Sequence, residues 1–297
     1  REPQSEMQDS KPMTRSAPAP SPVQEEAEAA KALGPEPVAQ AAPTPSPVPE
    51  EAPAARKQDS RVETVSVAYS KTKVQPVDWE VLKKNKVISL FHENRMTDHL
   101  KTLRAQILNN LEQMGKNSFL ISSANSGEGK TFMAINLGVT IAQEMDRTVL
   151  IVDADLRKHP KTHCDFSQDF FGICETRGLS DYLIGSAEIE DLLVNPGIEK
   201  LTLLPAGRPI PNCAEHLGSP RMESLITEMQ ERYAGDRVVI FDSPALLTFP
   251  DPLVLARSIG AVLLVVEAEH TTPANLKRCK ELLNGCTVMG TVLNKAK

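Results

Sequence analysis

The sequence predicts a doubly wound α/β domain with a mostly parallel sheet, preceded by a disordered arm rich in proline, alanine and glutamate. Three observations carry this expectation. Short apolar runs without polar alternation, at 118–122, 148–153, 237–241 and 261–267, have the length and composition of strands buried on both faces. Helix-length segments separate them, as connections between parallel strands require. Composition also changes sharply near residue 63, so the folded part is shorter than the 297-residue chain.

Residues 1–63 form the arm. They carry about half of the 23 prolines and few bulky apolar residues, too few to offset the entropy of ordering. Runs such as Ala17-Pro18-Ala19-Pro20 behave as semi-stiff spacers. The arm reads as a solvated tether, with recruitment of a partner as the alternative. Residues 64–94 are expected to be an extended lead-in, and 95–297 the folded domain. Within it, Met96, Leu100, Leu103, Ile107 and Leu111 recur at helical spacing over 95–112. A strand at 118–122 then leads through a loop into a helix reaching Gln143. A strand at 148–153 follows, and a glycine-punctuated region containing 178–183. Next come a strand at 201–204, a helix at 221–233, a strand at 237–241, a helix at 252–257 and a strand at 261–267. A helix at 273–283 and a strand at 288–293 close the chain. In such a fold, ligands sit at the carboxyl ends of the strands.

A net charge of −6 and a pI near 5.6 argue against nucleic acid as a partner. The longest apolar run, 261–266, is a strand's length and no transmembrane segment is expected. Five cysteines (Cys164, Cys174, Cys213, Cys279, Cys286) contain no C-x-x-C pair and read as reduced thiols of a cytoplasmic protein. His159 and His163 are four apart, but Pro160 between them weakens a shared metal-binding face.

The chemistry concentrates in SANSGEGKT (123–131), a phosphate-binding loop with Ala124 in place of its first glycine. Gly127 and Gly129 let successive backbone N–H groups point inward, and the following helix adds its positive end. Ser126, Gly127, Glu128, Gly129, Lys130, Thr131 and Phe132 are the candidate nucleotide-binding residues. Lys130 would meet the terminal phosphates of ATP, and Thr131 would offer its hydroxyl to Mg²⁺. Asp242 ends the strand 237–241, where an acidic group can hold Mg²⁺ directly or through water. Asp153 and Asp155 end the strand 148–153, two residues apart. One reading makes them a metal partner and a general base. The other makes one Mg²⁺-linked and the other a structural cap. Arg157 would either stabilise negative charge at the nucleotide or hold its loop by salt bridges.

These residues together resemble a known family. SANSGEGKT, VLIVDADLRK (149–158) and VVIFDSPALL (238–247) occur with GLSDYLIG (178–185), LTLLPAG (201–207), AEHLGSPRMESLI (214–226) and GTVLNK (290–295). In that order, over about 64–297, they resemble the bacterial tyrosine kinases of exopolysaccharide and capsule biosynthesis, in their stand-alone cytoplasmic form. The resemblance implies ATP and Mg²⁺ as cofactors, Lys130 and Thr131 on ATP–Mg²⁺, Asp242 as a further Mg²⁺ partner, and Asp153 with Asp155 as the acidic pair. It implies recruitment to the inner membrane by a chain-length regulator, the polysaccharide co-polymerase, as activator. It also implies a homo-oligomer through a helix that here carries Asp98, Lys101 and Arg104, where the family has Glu-x-x-Arg-x-x-Arg. Ala245 stands where the family has a second proline after its metal-binding strand. The family's C-terminal tyrosine cluster has no counterpart here. Tyr69 is the candidate acceptor, while Tyr182 and Tyr233 read as core residues. Two other readings share the loop: a partitioning or division-site ATPase switch, which would carry a lysine where Asn125 stands, and an ATP-binding scaffold of an export complex.

Overall fold

The computed structural model describes residues 72–91, 95–157, 166–231 and 236–296. The arm at 1–63, Tyr69, His159, His163, Cys164 and Tyr233 lie outside the described residues. The described strands are β1 (Lys73–Val74), β2 (Ser118–Ser123), β3 (Thr148–Asp153), β4 (Val194–Asn195), β5 (Leu201–Leu204), β6 (Arg237–Asp242), β7 (Ala261–Glu267) and β8 (Thr287–Asn294). They form one sheet in the order β1-β4-β5-β3-β6-β2-β7-β8. Every pairing is parallel except β4 with β5.

Parallel pairing follows from the side chains. In β2, β3 and β6, consecutive residues are buried whichever face they point to. Leu150, Val152, Val239 and Phe241 join one apolar core. Val149, Ile151, Val238 and Ile240 join a second on the opposite face. Such strands leave no face for water, so helices must cover both sides. The covering helices include α2 (Arg95–Gln113), α3 (Lys130–Ala142), α7 (Pro220–Glu231), α8 (Asp251–Ile259) and α9 (Pro273–Leu282). Helix α3 lies so close to the sheet that a methyl group on Gly138 would stand 2.5 Å from Ile151.

The lead-in differs from the expectation. Read as extended through residue 94, it instead carries strand β1, helix α1 (Trp79–Lys84) and a 3₁₀ turn at Ile88–Leu90. Asp78 caps α1, its Oδ1 accepting from the Glu80 amide at 2.9 Å. Leu82 and Val87 are fully covered by the second core. The helix is too short for its apolar period to register in the sequence, and tertiary burial supplies what local propensity does not. A buried polar side chain fixes the attachment. Asn136 Nδ2 donates to the Lys86 carbonyl at 3.2 Å and to the Phe132 carbonyl at 3.0 Å. Its Oδ1 accepts from the Ser89 amide at 3.2 Å and from the Ser89 hydroxyl at 3.1 Å. Three smaller helices, α4 (Phe166–Phe171), α5 (Leu179–Leu183) and α6 (Cys213–Leu217), complete the layer at the carboxyl ends of β3 and β5. Among the described residues, no helix is long and apolar enough to cross a membrane.

Asn136→Ala is expected to destabilise the domain by roughly 1–3 kcal/mol, because it strips partners from buried backbone groups of the lead-in. Urea unfolding should show a lower midpoint at an unchanged slope.

Candidate functional site

Strand β2 ends at Ser123, and the chain then curls through 124–129 before α3 begins at Lys130. Gly127 and Gly129 adopt the left-handed conformation, with φ of 82° and 97°. That curl turns successive amides towards one point at the N-terminus of a 13-residue helix, an anion-binding arrangement. A Cβ at Gly127 would meet nothing within 4 Å, so the loop is open there. At Gly129 a Cβ would fall 2.1 Å from Asn294 Nδ2, so a side chain there must displace the Asn294 amide as well as bear the left-handed backbone. Ser126 and Gly127 are exposed, whereas Lys130, Thr131 and Phe132 are half-buried.

Beside the loop stand the acidic residues. Strands β3 and β6 pair with Asp153 opposite Asp242, which sets their backbones about 4.8 Å apart. Alternation along both strands places the two side chains on the face covered by α3. Both are buried, at 0% and 1% exposure. The Thr131 hydroxyl donates to Asp242 Oδ2 at 2.7 Å. Asp153 Oδ1 accepts from the Asp155 amide at 3.0 Å, and its Oδ2 from the Phe166 amide at 3.4 Å. Asp153 therefore caps the turn that follows its strand. Asp155 stands half-buried beyond that turn.

Arg157 is engaged within the chain. Its Nε donates to Asp251 Oδ2 at 2.7 Å, and its guanidinium lies 4.8 Å over the Phe249 ring. The hydrogen bond to Asp251 raises its pKa, burial opposing it. Asp251, 1% exposed, was not singled out in the sequence. Its only local signal is an acidic residue opening a helix ahead of Pro252. Cys213 borders the same charges, and its burial pushes the thiol pKa up.

Glu128 was expected to contribute as part of the loop, yet its side chain turns into the protein. Oε1 accepts from Asn125 Nδ2 at 2.8 Å and from the Thr271 hydroxyl at 2.6 Å. Oε2 accepts from the Asn125 amide at 3.1 Å. Burial raises its pKa, but the bonds from Thr271 and Asn125 outweigh this and leave it below the usual carboxylate value. Two further side chains hold the loop from distant elements. Asn294 Nδ2 donates to the Glu128 carbonyl at 2.9 Å, and Asn275 Nδ2 to Asn125 Oδ1 at 3.3 Å. Asn294 lies in the GTVLNK stretch, but nothing near it in sequence marks it as a neighbour of the loop. A cavity of about 430 Å³ lies elsewhere, lined in part by Leu108, Lys116, Arg147 and Gln230.

No protein-family model matches the chain. The tyrosine-protein kinase YwqD of Bacillus subtilis is 32% identical over 203 residues, which cover 68% of this chain and 81% of YwqD. The tyrosine-protein kinase Wzc of Salmonella typhi is 31% identical over 199 residues, 66% of this chain and 26% of Wzc. The kinase domain of the Escherichia coli tyrosine kinase ETK superposes with a TM-score of 0.64 at 26% identity, covering 75% of this chain and 88% of that one. The chain belongs to the bacterial tyrosine-protein kinases. It thus spans most of YwqD but about a quarter of Wzc.

Two further stretches singled out in the sequence have defined surroundings. In the GLSDYLIG stretch, Asp181 is buried and accepts from the Gly178 amide at 3.0 Å and from Arg208 Nη2 at 2.7 Å. This ties α5 to the loop after β5. Tyr182 is half-buried on the margin of the first core, with the Arg221 guanidinium 4.4 Å over its ring. On α2, Asp98 and Lys101 are exposed. Arg104 is engaged within the chain, donating to the Thr140 carbonyl at 3.0 Å and pairing with Glu144.

Gly129→Ala is expected to weaken nucleotide binding roughly 10-fold or more in a titration with a fluorescent ADP analogue. The new methyl group both strains a left-handed residue, by roughly 1 kcal/mol or more, and collides with Asn294.

Proposed function

We propose that the chain is an ATP-dependent protein-tyrosine kinase serving exopolysaccharide or capsule biosynthesis. The observation that carries this reading is the Asp153–Asp242 pair, set in register beside Thr131 at the foot of the phosphate loop, in a chain of the bacterial tyrosine-protein kinase family. The residues fit Mg²⁺ and ATP. A hydroxyl and two buried carboxylates are the hard oxygen donors that Mg²⁺ takes. The loop's converging amides, the helix N-terminus and Lys130 suit a polyphosphate.

When bound, Mg²⁺–ATP supplies the phosphoryl group and neutralises charge developing during its transfer. The chain's own residues do the rest. Lys130 and the amides of 126–131 hold and orient the phosphates. Thr131 and Asp242, whose side chains meet at 2.7 Å, would hold the metal together with Asp153. Asp153 also fixes the turn that presents Asp155. Asp155 takes the proton of the incoming tyrosine hydroxyl on its carboxylate, as a general base. Arg157, locked to Asp251, keeps this turn in place instead of travelling with the nucleotide. Positioning and fixed charge account for most of the acceleration, as in other phosphoryl transfers.

The partner that fits this reading is a membrane-bound chain-length regulator, which would recruit and activate the kinase at the inner membrane. Tyr69 is the acceptor proposed within the chain. A homo-oligomer through α2 would use Asp98 and Lys101, with Arg104 bracing α2 against α3 within the subunit.

Protein mixed with Mg²⁺, ATP and the cytoplasmic segment of the membrane partner should form phosphotyrosine. Lys130→Met and Asp155→Asn should each reduce it roughly 100-fold or more. ATP hydrolysis with no phosphotyrosine on any protein would overturn the kinase reading.

A further inference from the structure

A carboxylate inside a polyphosphate-binding loop is electrostatically adverse, because it repels the ligand the loop is built to hold. Glu128 is such a carboxylate. It is 2% exposed, between the two left-handed glycines. Asn125 and Thr271 disperse its charge through three hydrogen bonds. All three hold it away from the loop's open side. One partner, Thr271, belongs to the turn between β7 and α9. There its hydroxyl also accepts from the Glu267 amide at 2.9 Å. The backbone carbonyl of Glu128 is in turn held by Asn294 at the end of β8. The curl of the loop is thus tied, at one residue, to two elements more than 130 positions away in sequence.

We propose that Glu128 is a positioning residue for nucleotide binding. Its carboxylate and carbonyl hold the loop in its receptive curl by tying it to Thr271 and Asn294, while its side chain touches no substrate. A loop of small, flexible residues loses conformational entropy on closing around a ligand. These ties place that loss in folding, before the nucleotide arrives, which is how preorganisation raises affinity. The reacting groups, Asp153, Asp155 and Asp242, sit on β3, β6 and the turn after β3, and none of the ties reaches them. Once nucleotide is bound, its phosphates hold the loop amides and Lys130 in the same curl, so loss of the ties should weaken binding and leave the chemical step of the bound complex little changed.

This inference rests on the loop being a nucleotide site, as proposed above. Its test is equilibrium binding of a fluorescent ADP analogue to the full chain, with phosphotyrosine kinetics beside it. Glu128→Ala should weaken ADP binding about 10-fold and raise KM for ATP similarly, with kcat within about twofold. Glu128→Gln keeps the shape and one acceptor oxygen, and should recover most of that affinity. Thr271→Val should weaken binding in the same direction, and adding it to Glu128→Ala should cost little more, since both remove one contact. If Glu128→Ala does not fold, Thr271→Val and Glu128→Gln carry the test. ADP affinity within twofold of wild type in both Glu128→Ala and Thr271→Val would overturn the proposal. So would a fall in kcat at unchanged KM. Wild-type protein that binds ADP but forms no phosphotyrosine would defeat the kinase reading alone, and the binding comparison would still decide the role of Glu128.

Discussion

The site depends on the register between β3 and β6. Pairing Asp153 opposite Asp242 brings two buried carboxylates together on the face where α3 presents Thr131. Two negative charges so placed repel each other, and burial strengthens the repulsion. The fold offsets this locally. Asp242 accepts from the Thr131 hydroxyl, and Asp153 accepts from the amides of Asp155 and Phe166. A third buried carboxylate, Asp251, is matched by Arg157. A slip of one residue in this pairing would carry the apolar residues of each strand into the wrong core. The same two-sided burial that stabilises the sheet therefore holds the acidic pair in place.

Around this pair the phosphate loop is held from two sides. The strand behind it is fixed by hydrogen bonds from the segment after β6, where the Leu246 and Leu247 amides donate to the Ser123 and Ala124 carbonyls at 2.8 and 3.1 Å. The side towards β7 and β8 is fixed through Glu128, Asn125, Thr271 and Asn294. Ala245 therefore stands in a segment pinned by its neighbours' backbone bonds, which does not need a second proline for stiffness. Asn125 is part of the loop's own bracing, paired with Glu128 and Asn275.

Much of the fold was legible because its strands are buried on both faces. Runs such as Val149–Val152 and Val238–Phe241 leave little alternative to a covered parallel sheet. The loop and its two aspartate strands were legible for a different reason: glycines at fixed offsets and acids at strand ends are local signals. Contacts between distant segments were not legible. Thr271, Asn275 and Asn294 are ordinary polar residues until the fold sets them against the loop. Asp251 declares itself only once Arg157 is seen against it. The lead-in misled for an energetic reason, since α1 is six residues long and is held by burial of Leu82 and by Asn136 instead of by its own periodicity.

We propose that Asp242, with Thr131, makes this loop a site for a metal-bound nucleotide. The most direct measurement is ADP affinity with and without Mg²⁺, in wild type and in Asp242→Asn. Mg²⁺ should tighten binding in the wild type, and the substitution should erase about 10- to 100-fold of that gain while leaving metal-free binding intact. An equal Mg²⁺ effect in both proteins, or none in the wild type, would contradict the account.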